Sequence, residues 1–116
     1  DGTGCADGRI RGEFSANGFE NDLSHMRGVL SMARLEDPDS ASSQFFIMQG
    51  NYPEYDGQYA AFGTALDDET LSVIDSIASQ PVDGYYVPLK HQVIQTIRVN
   101  THGYELEAET IPIDDN

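Results

Sequence analysis

The chain has 116 residues, 39% of them apolar, which suits one domain with a modest core. Its 20 acidic residues against 6 basic ones leave a net charge of −14, a field that repels phosphate backbones and anionic lipid and so argues against nucleic acid or a membrane surface as partner. No apolar run approaches the roughly 20 residues that span a bilayer, and a single cysteine, Cys5, excludes an internal disulfide.

The first 24 residues read as loop, densely punctuated by glycine and asparagine. Gly2-Thr3-Gly4 is no nucleotide loop: the third glycine of that motif would fall at Asp7, and no Lys-Ser/Thr follows. The opening Asp1-Gly2-Thr3-Gly4 has the character of a loop inside a protein and lacks an initiating Met, so an N-terminal portion is expected to be absent. No secretory leader is recognisable, and the expected compartment is the cytoplasm. Residues 27–33 read as a strand, with apolar positions at Leu30 and Met32. A polar connection follows. Its Asp37-x-Asp39 spacing hints at a calcium loop but lacks the glycine and the closing glutamate.

Residues 44–48 are expected to form a second strand, followed by a turn at Gly50-Asn51-Tyr52-Pro53. Residues 60–65 form a third, entered through an Asp56-Gly57 turn. Asp67 then caps a helix whose first turn is acidic, as the helix dipole favours. Leu71, Val73, Ile74, Ile77 and Ala78 supply its buried stripe, and it stops near Ser79, before Pro81. Residues 80–90 read as loop. Residues 91–99 carry the clearest strand alternation, Val93, Ile97 and Val99 on one face, with Gln95 intruding. An acidic, extended tail is expected from Gly103. Four strands and one helix make a mostly β domain that is thin for independent stability and leaves sheet edges exposed.

The chain contains no G-x-S-x-G elbow and no metal-ligand spacing among His25, His91 and His102, which read as structural or surface histidines. What remains is an apolar recess with a polar lip. Gln44 leads into Phe45-Phe46, with Ala33 as a small wall and Tyr55 and Tyr59 as an aromatic side. Because Phe45 and Phe46 alternate across a strand, at least one belongs to ordinary core, and the pattern leaves Phe46 open between core and ligand-facing roles.

Three runs, Val29-Leu30-Ser31-Met32-Ala33-Arg34, Ser42-Ser43-Gln44-Phe45-Phe46-Ile47 and Asp56-Gly57-Gln58-Tyr59-Ala60-Ala61-Phe62-Gly63, resemble a cyclophilin of the bacterial type. Phe19-Glu20-Asn21-Asp22-Leu23-Ser24-His25 and Pro88-Leu89-Lys90-His91-Gln92-Val93-Ile94 extend the likeness across nearly all of residues 1–101, with 102–116 as an acidic C-terminal tail. The resemblance implies a peptidyl-prolyl cis-trans isomerase, acting on proline-containing peptides or unfolded proteins without metal or cofactor. It implies an antiparallel barrel of eight strands in that family, capped by two helices, of which this chain supplies the C-terminal part and one helix. It places Phe46 in the proline pocket, Ala33 and Gln44 along the peptide backbone, and Tyr59 at a pocket edge where many members have His. Tyr55 replaces a usual Leu, Glu54 stands where Trp or His is common, and Arg34 replaces a common Asn. The family's catalytic Arg belongs to a Phe-His-Arg-Val-Ile to Gln-Gly-Gly segment that has no counterpart here, so no catalytic residue is assigned. Two further readings follow: a non-catalytic module that binds proline-containing peptides, and an open barrel edge that pairs with a second copy or with a complementing N-terminal segment.

Overall fold

The computed structural model describes residues 4–105 and 111–112. Its centre is a three-stranded antiparallel sheet of β2 (Val29–Met32), β3 (Phe45–Ile47) and β4 (Ala61–Thr64), with β2 in the middle. These are the three strands expected from the apolar runs, each shorter than its pattern. Leu30, Ser31 and Met32 pair with Ile47, Phe46 and Phe45 on one side. On the other side Val29, Leu30 and Ser31 face Thr64, Gly63 and Ala61, and the register shifts between Leu30 and Ser31. A bulge of this kind bends the strand and re-aims the side chains beyond it.

The α-helix α1 (Asp68–Ala78) starts as its sequence predicts: the Asp67 carboxylate accepts a hydrogen bond from the Thr70 backbone N–H at 2.8 Å. Its buried stripe is narrower than expected. Ile74 is buried and Leu71 half-buried, but Val73 and Ile77 are 54% and 44% exposed. Leu71 faces the start of β2, where Gly28 adopts φ +89° and a Cβ would lie 2.9 Å from Leu71 Cδ2. Glycine is required there both by the backbone sign and by the approach of the helix. The core gathers Phe14, Ala41, Met48, Ala60, Ala61 and Ile74, together with two polar residues, His25 and Ser31.

The glycine-rich opening is not wholly loop. A two-residue strand β1 (Gly8–Arg9) pairs antiparallel with β5 (Ile111–Pro112), and a 3-10 turn covers Ser15–Asn17. The Asp39 carboxylate holds this segment, accepting from Gly12 N at 3.1 Å and from Asn17 Nδ2 at 2.9 Å. The rest of the tail, 106–110 and 113–116, lies outside the described residues.

Two expectations are corrected. Residues 91–99 form no strand, and Val93 and Val99 are 71% and 73% exposed. Alternation marks a segment competent to be a strand, but a strand exists only where a neighbour completes its ladder, and no described strand borders this one. For the same reason the mostly β reading gives way to a mixed small domain, a three-stranded sheet with one helix, and the sheet does not close into a barrel. The loop before it is more ordered than expected. Val82 bridges to Pro88, and the Asp83 carboxylate accepts from Tyr85 N and Val87 N, shaping a turn with Tyr86 at φ +63°.

Candidate functional site

Phe46 sits at the middle of edge strand β3, and the chain then doubles back through a 3-10 turn, Pro53–Tyr55, and a tight Asp56-Gly57 corner. That corner is fixed from several sides. Gly57 has φ +76°, and its carbonyl accepts from Ala16 N at 2.9 Å. Tyr52 N donates to His25 O at 2.9 Å. The result carries Tyr55 and Tyr59 back over Phe46. Ring centroids are 6.0 Å apart for Phe46 and Tyr55, 5.6 Å for Phe46 and Tyr59, and 5.3 Å for Tyr55 and Tyr59. All three contacts are edge-on, the arrangement aromatic quadrupoles favour. Each of the three side chains is half-buried, neither sealed into the core nor free of it.

Ala33 and Gln44 lie at the open end of the β2–β3 ladder, where Ala33 N donates to Gln44 O at 3.0 Å. The Gln44 side-chain amide is at the surface and donates to Gly4 O at 2.8 Å. The five residues expected to form a peptide site therefore fall into two adjoining groups: an aromatic trio around Phe46, and the Ala33–Gln44 pair at the end of the ladder, with Gln44 two residues before Phe46. Glu54 is exposed on the turn that presents Tyr55.

Beneath the trio runs a polar relay that local sequence patterns do not reveal. The His25 imidazole is fully buried, stacked on Phe46 at 6.1 Å and edge-on to Tyr55 at 5.9 Å. Its Nδ1 lies 2.9 Å from Asp56 Oδ1 and its Nε2 lies 2.8 Å from Ser31 Oγ. Asp56 also accepts from His25 N at 2.6 Å. That backbone N–H, and next the His25 side chain, hold the Asp56 carboxyl below the usual carboxylate range. An ionised Asp56 only accepts, which makes Nδ1 the donor in that contact and leaves Nε2 to share a hydrogen bond with the Ser31 hydroxyl. The order carboxylate, imidazole, hydroxyl has the form of an acyl-transfer triad. Ser31 is 0% exposed in the middle strand, however, so no carbonyl can approach its Oγ. The relay is structural: it fixes the ring on which Phe46 and Tyr55 rest.

Arg34, which stands where the family commonly has Asn, places its guanidinium against the rings of Phe14 and Tyr59, with centroids 4.8 and 5.0 Å from Cζ. Among the described residues no group of three or more His, Cys, Asp or Glu side chains is arranged to hold a metal ion. An apolar groove of about 430 Å³ bounded by Leu23, Met26, Val29 and Phe62 is lined by none of the five candidate residues.

The chain matches the family model described as cyclophilin type peptidyl-prolyl cis-trans isomerase/CLD over residues 2–99. It is 37% identical over 106 residues to "Peptidyl-prolyl cis-trans isomerase CYP23" of Arabidopsis thaliana, covering 90% of this chain and 42% of that protein. It is 36% identical over 97 residues to "Peptidyl-prolyl cis-trans isomerase" of Acinetobacter baylyi, covering 73% of this chain and 50% of the relative. A third relative, "Peptidyl-prolyl cis-trans isomerase-like 3" of Gallus gallus, is 35% identical over 107 residues, with 90% and 65% covered. The chain belongs to the cyclophilin-type peptidyl-prolyl cis-trans isomerase family. It spans about half the length of the curated relatives it matches.

Proposed function

We propose that this chain is the substrate-gripping part of a peptidyl-prolyl cis-trans isomerase, and that a segment outside the 116 residues supplies the catalytic arginine. The observation that carries the reading is the half-buried trio of Phe46, Tyr55 and Tyr59 beside the Ala33–Gln44 pair. A proline ring needs an apolar, aromatic seat, and the peptide backbone next to it needs a polar edge. The two groups offer these side by side. Within the family we read the chain with the bacterial type, on Arg34 and Tyr59.

The chemistry needs no covalent intermediate. Amide resonance sets a rotational barrier of roughly 18–20 kcal/mol, and uncatalysed X-Pro exchange takes tens to hundreds of seconds. Twisting the bond localises the lone pair on the prolyl nitrogen. A seat that holds the ring while the carbonyl turns, with a donor aimed at that nitrogen, stabilises the twisted state above both planar ones. In this reading Phe46, Tyr55 and Tyr59 hold the ring, Ala33 and Gln44 align the backbone, and the donor comes from the complementing N-terminal segment.

Support for a complementing segment comes from residues 91–99, whose strand-patterned apolar side chains lie exposed, and from the chain's coverage of about half its relatives. The test is a protease-coupled X-Pro exchange assay. The chain alone is expected to add little to the uncatalysed rate, and the chain supplied with the proposed complementing segment is expected to be active. Full activity of the 116 residues alone would contradict the assignment of the donor to another segment.

A further inference from the structure

We propose that Arg34 is the positioning residue of the peptide site: it sets the Tyr59 ring against Phe46 and does not itself bind peptide. The inference rests on the proposed grip at Phe46, and its grounds are the partners of the guanidinium. Nε and Nη2 both donate to Gln58 O, at 3.1 and 2.9 Å. Nη1 donates to Leu35 O at 2.9 Å and to Glu36 O at 3.2 Å. These bonds commit four of the five N–H donors of Arg34 to the backbone of its own loop and of the residue just before Tyr59. They hold the guanidinium against the turn that presents Tyr59.

Two aromatic rings lie against the group as well. Phe14 is within 4.8 Å of Cζ, and it is one of the most buried apolar residues of the chain, 2% exposed. Tyr59 lies within 5.0 Å as well. Arg34 therefore connects a fixed core ring to a half-buried pocket ring, and its fork simultaneously holds the Gln58 carbonyl. Three segments distant in sequence meet at this one side chain: the loop before the Ser15–Asn17 turn, the exit of β2, and the turn that presents Tyr59. Only a planar cation with several in-plane donors can stack and form these bonds together. A lysine ammonium keeps the charge but cannot do both.

The assignment is tested with Arg34→Lys and Arg34→Gln in wild-type and Tyr59→Ala backgrounds, using an Ala-Pro-containing peptide and Phe46→Ala as the control for the pocket itself. Either Arg34 variant is expected to weaken peptide binding about 3–10-fold, the range of one partly desolvated cation–π contact. Neither is expected to weaken it further, within about 2-fold, once Tyr59 is alanine. Arg34 losses that multiply unchanged with the Tyr59→Ala loss would overturn the proposal, because a direct peptide contact does not depend on Tyr59. A second readout needs no ligand: the Tyr59 ring proton resonances move in Arg34→Lys while the amide resonances of Val29–Met32 stay in place. Unmoved ring resonances would overturn the positioning role. If Phe46→Ala leaves peptide binding intact, the proposed pocket fails, and the ring resonances still decide whether Arg34 sets Tyr59.

Discussion

His25 Nδ1 lies 2.9 Å from Asp56 Oδ1, joining the residue that precedes the central strand to the corner that aims Tyr55 and Tyr59. The far side of the same ring meets the Ser31 hydroxyl, opposite Phe46 in the strand register. One buried imidazole thus ties the sheet, the corner and the aromatic trio to each other. Replacing His25 by leucine leaves the Ser31 hydroxyl buried without its hydrogen-bond partner, a cost of about 1–3 kcal/mol. Urea unfolding is expected to show that loss in His25→Leu and partial recovery in His25→Leu/Ser31→Ala.

Acid should weaken the fold through identifiable carboxylates. Asp56 is held below 3.8 by the His25 backbone N–H and then the His25 side chain, Asp39 by the Asn17 side chain and then Gly12 N, and Asp67 by Thr70. A carboxyl with a depressed folded-state pKa favours the folded chain above its unfolded value, and that contribution disappears as pH falls through the folded value. The urea midpoint is therefore expected to be flat in these three groups above about pH 5 and to drop toward about pH 3. Asp56→Asn should flatten part of the drop. A midpoint equal at both ends would exclude these groups as its source.

Gly28→Ala should destabilise without touching the candidate site. The residue must accept φ +89° and place a methyl group 2.9 Å from Leu71 Cδ2 and 3.3 Å from Ala65 Cβ. The left-handed backbone alone costs about 1–2 kcal/mol for a residue with a Cβ, and the crowding adds to it. Thermal or urea unfolding measures the loss; a neutral substitution would mean the helix does not rest on the start of β2.

Residues 91–99 provide a test by hydrogen exchange. Their amides have no ladder partner among the described residues and should exchange fast, while those of Val29–Met32, paired on both sides, should be protected. Adding the proposed complementing segment should slow exchange in 91–99. Protection of 91–99 in the isolated chain equal to that of β2 would contradict the observed lack of pairing.

The parts of this fold that sequence makes legible are those encoded locally. Apolar runs bounded by turn residues mark the three sheet strands, and Asp67 with its acidic following turn marks the helix start to the residue. The helix stripe is less legible, because Val73 and Ile77 have core spacing but remain about half exposed. The strand pattern of 91–99 finds no paired neighbour among the described residues. At the site, the order of motifs points to Phe46, Tyr55 and Tyr59, and these rings do meet. The His25–Asp56 relay and the Arg34 clamp join residues 31 and 24 positions apart, and no local pattern encodes such pairings.

The most direct test of the grip is a titration of the isotope-labelled chain with a short Ala-Pro peptide, with the Ala-Ala analogue as control. Shifts confined to Phe46, Tyr55, Tyr59, Ala33 and Gln44, and weak or absent with the analogue, are the predicted result. No shifts at saturating peptide, or equal shifts with both peptides, would contradict it.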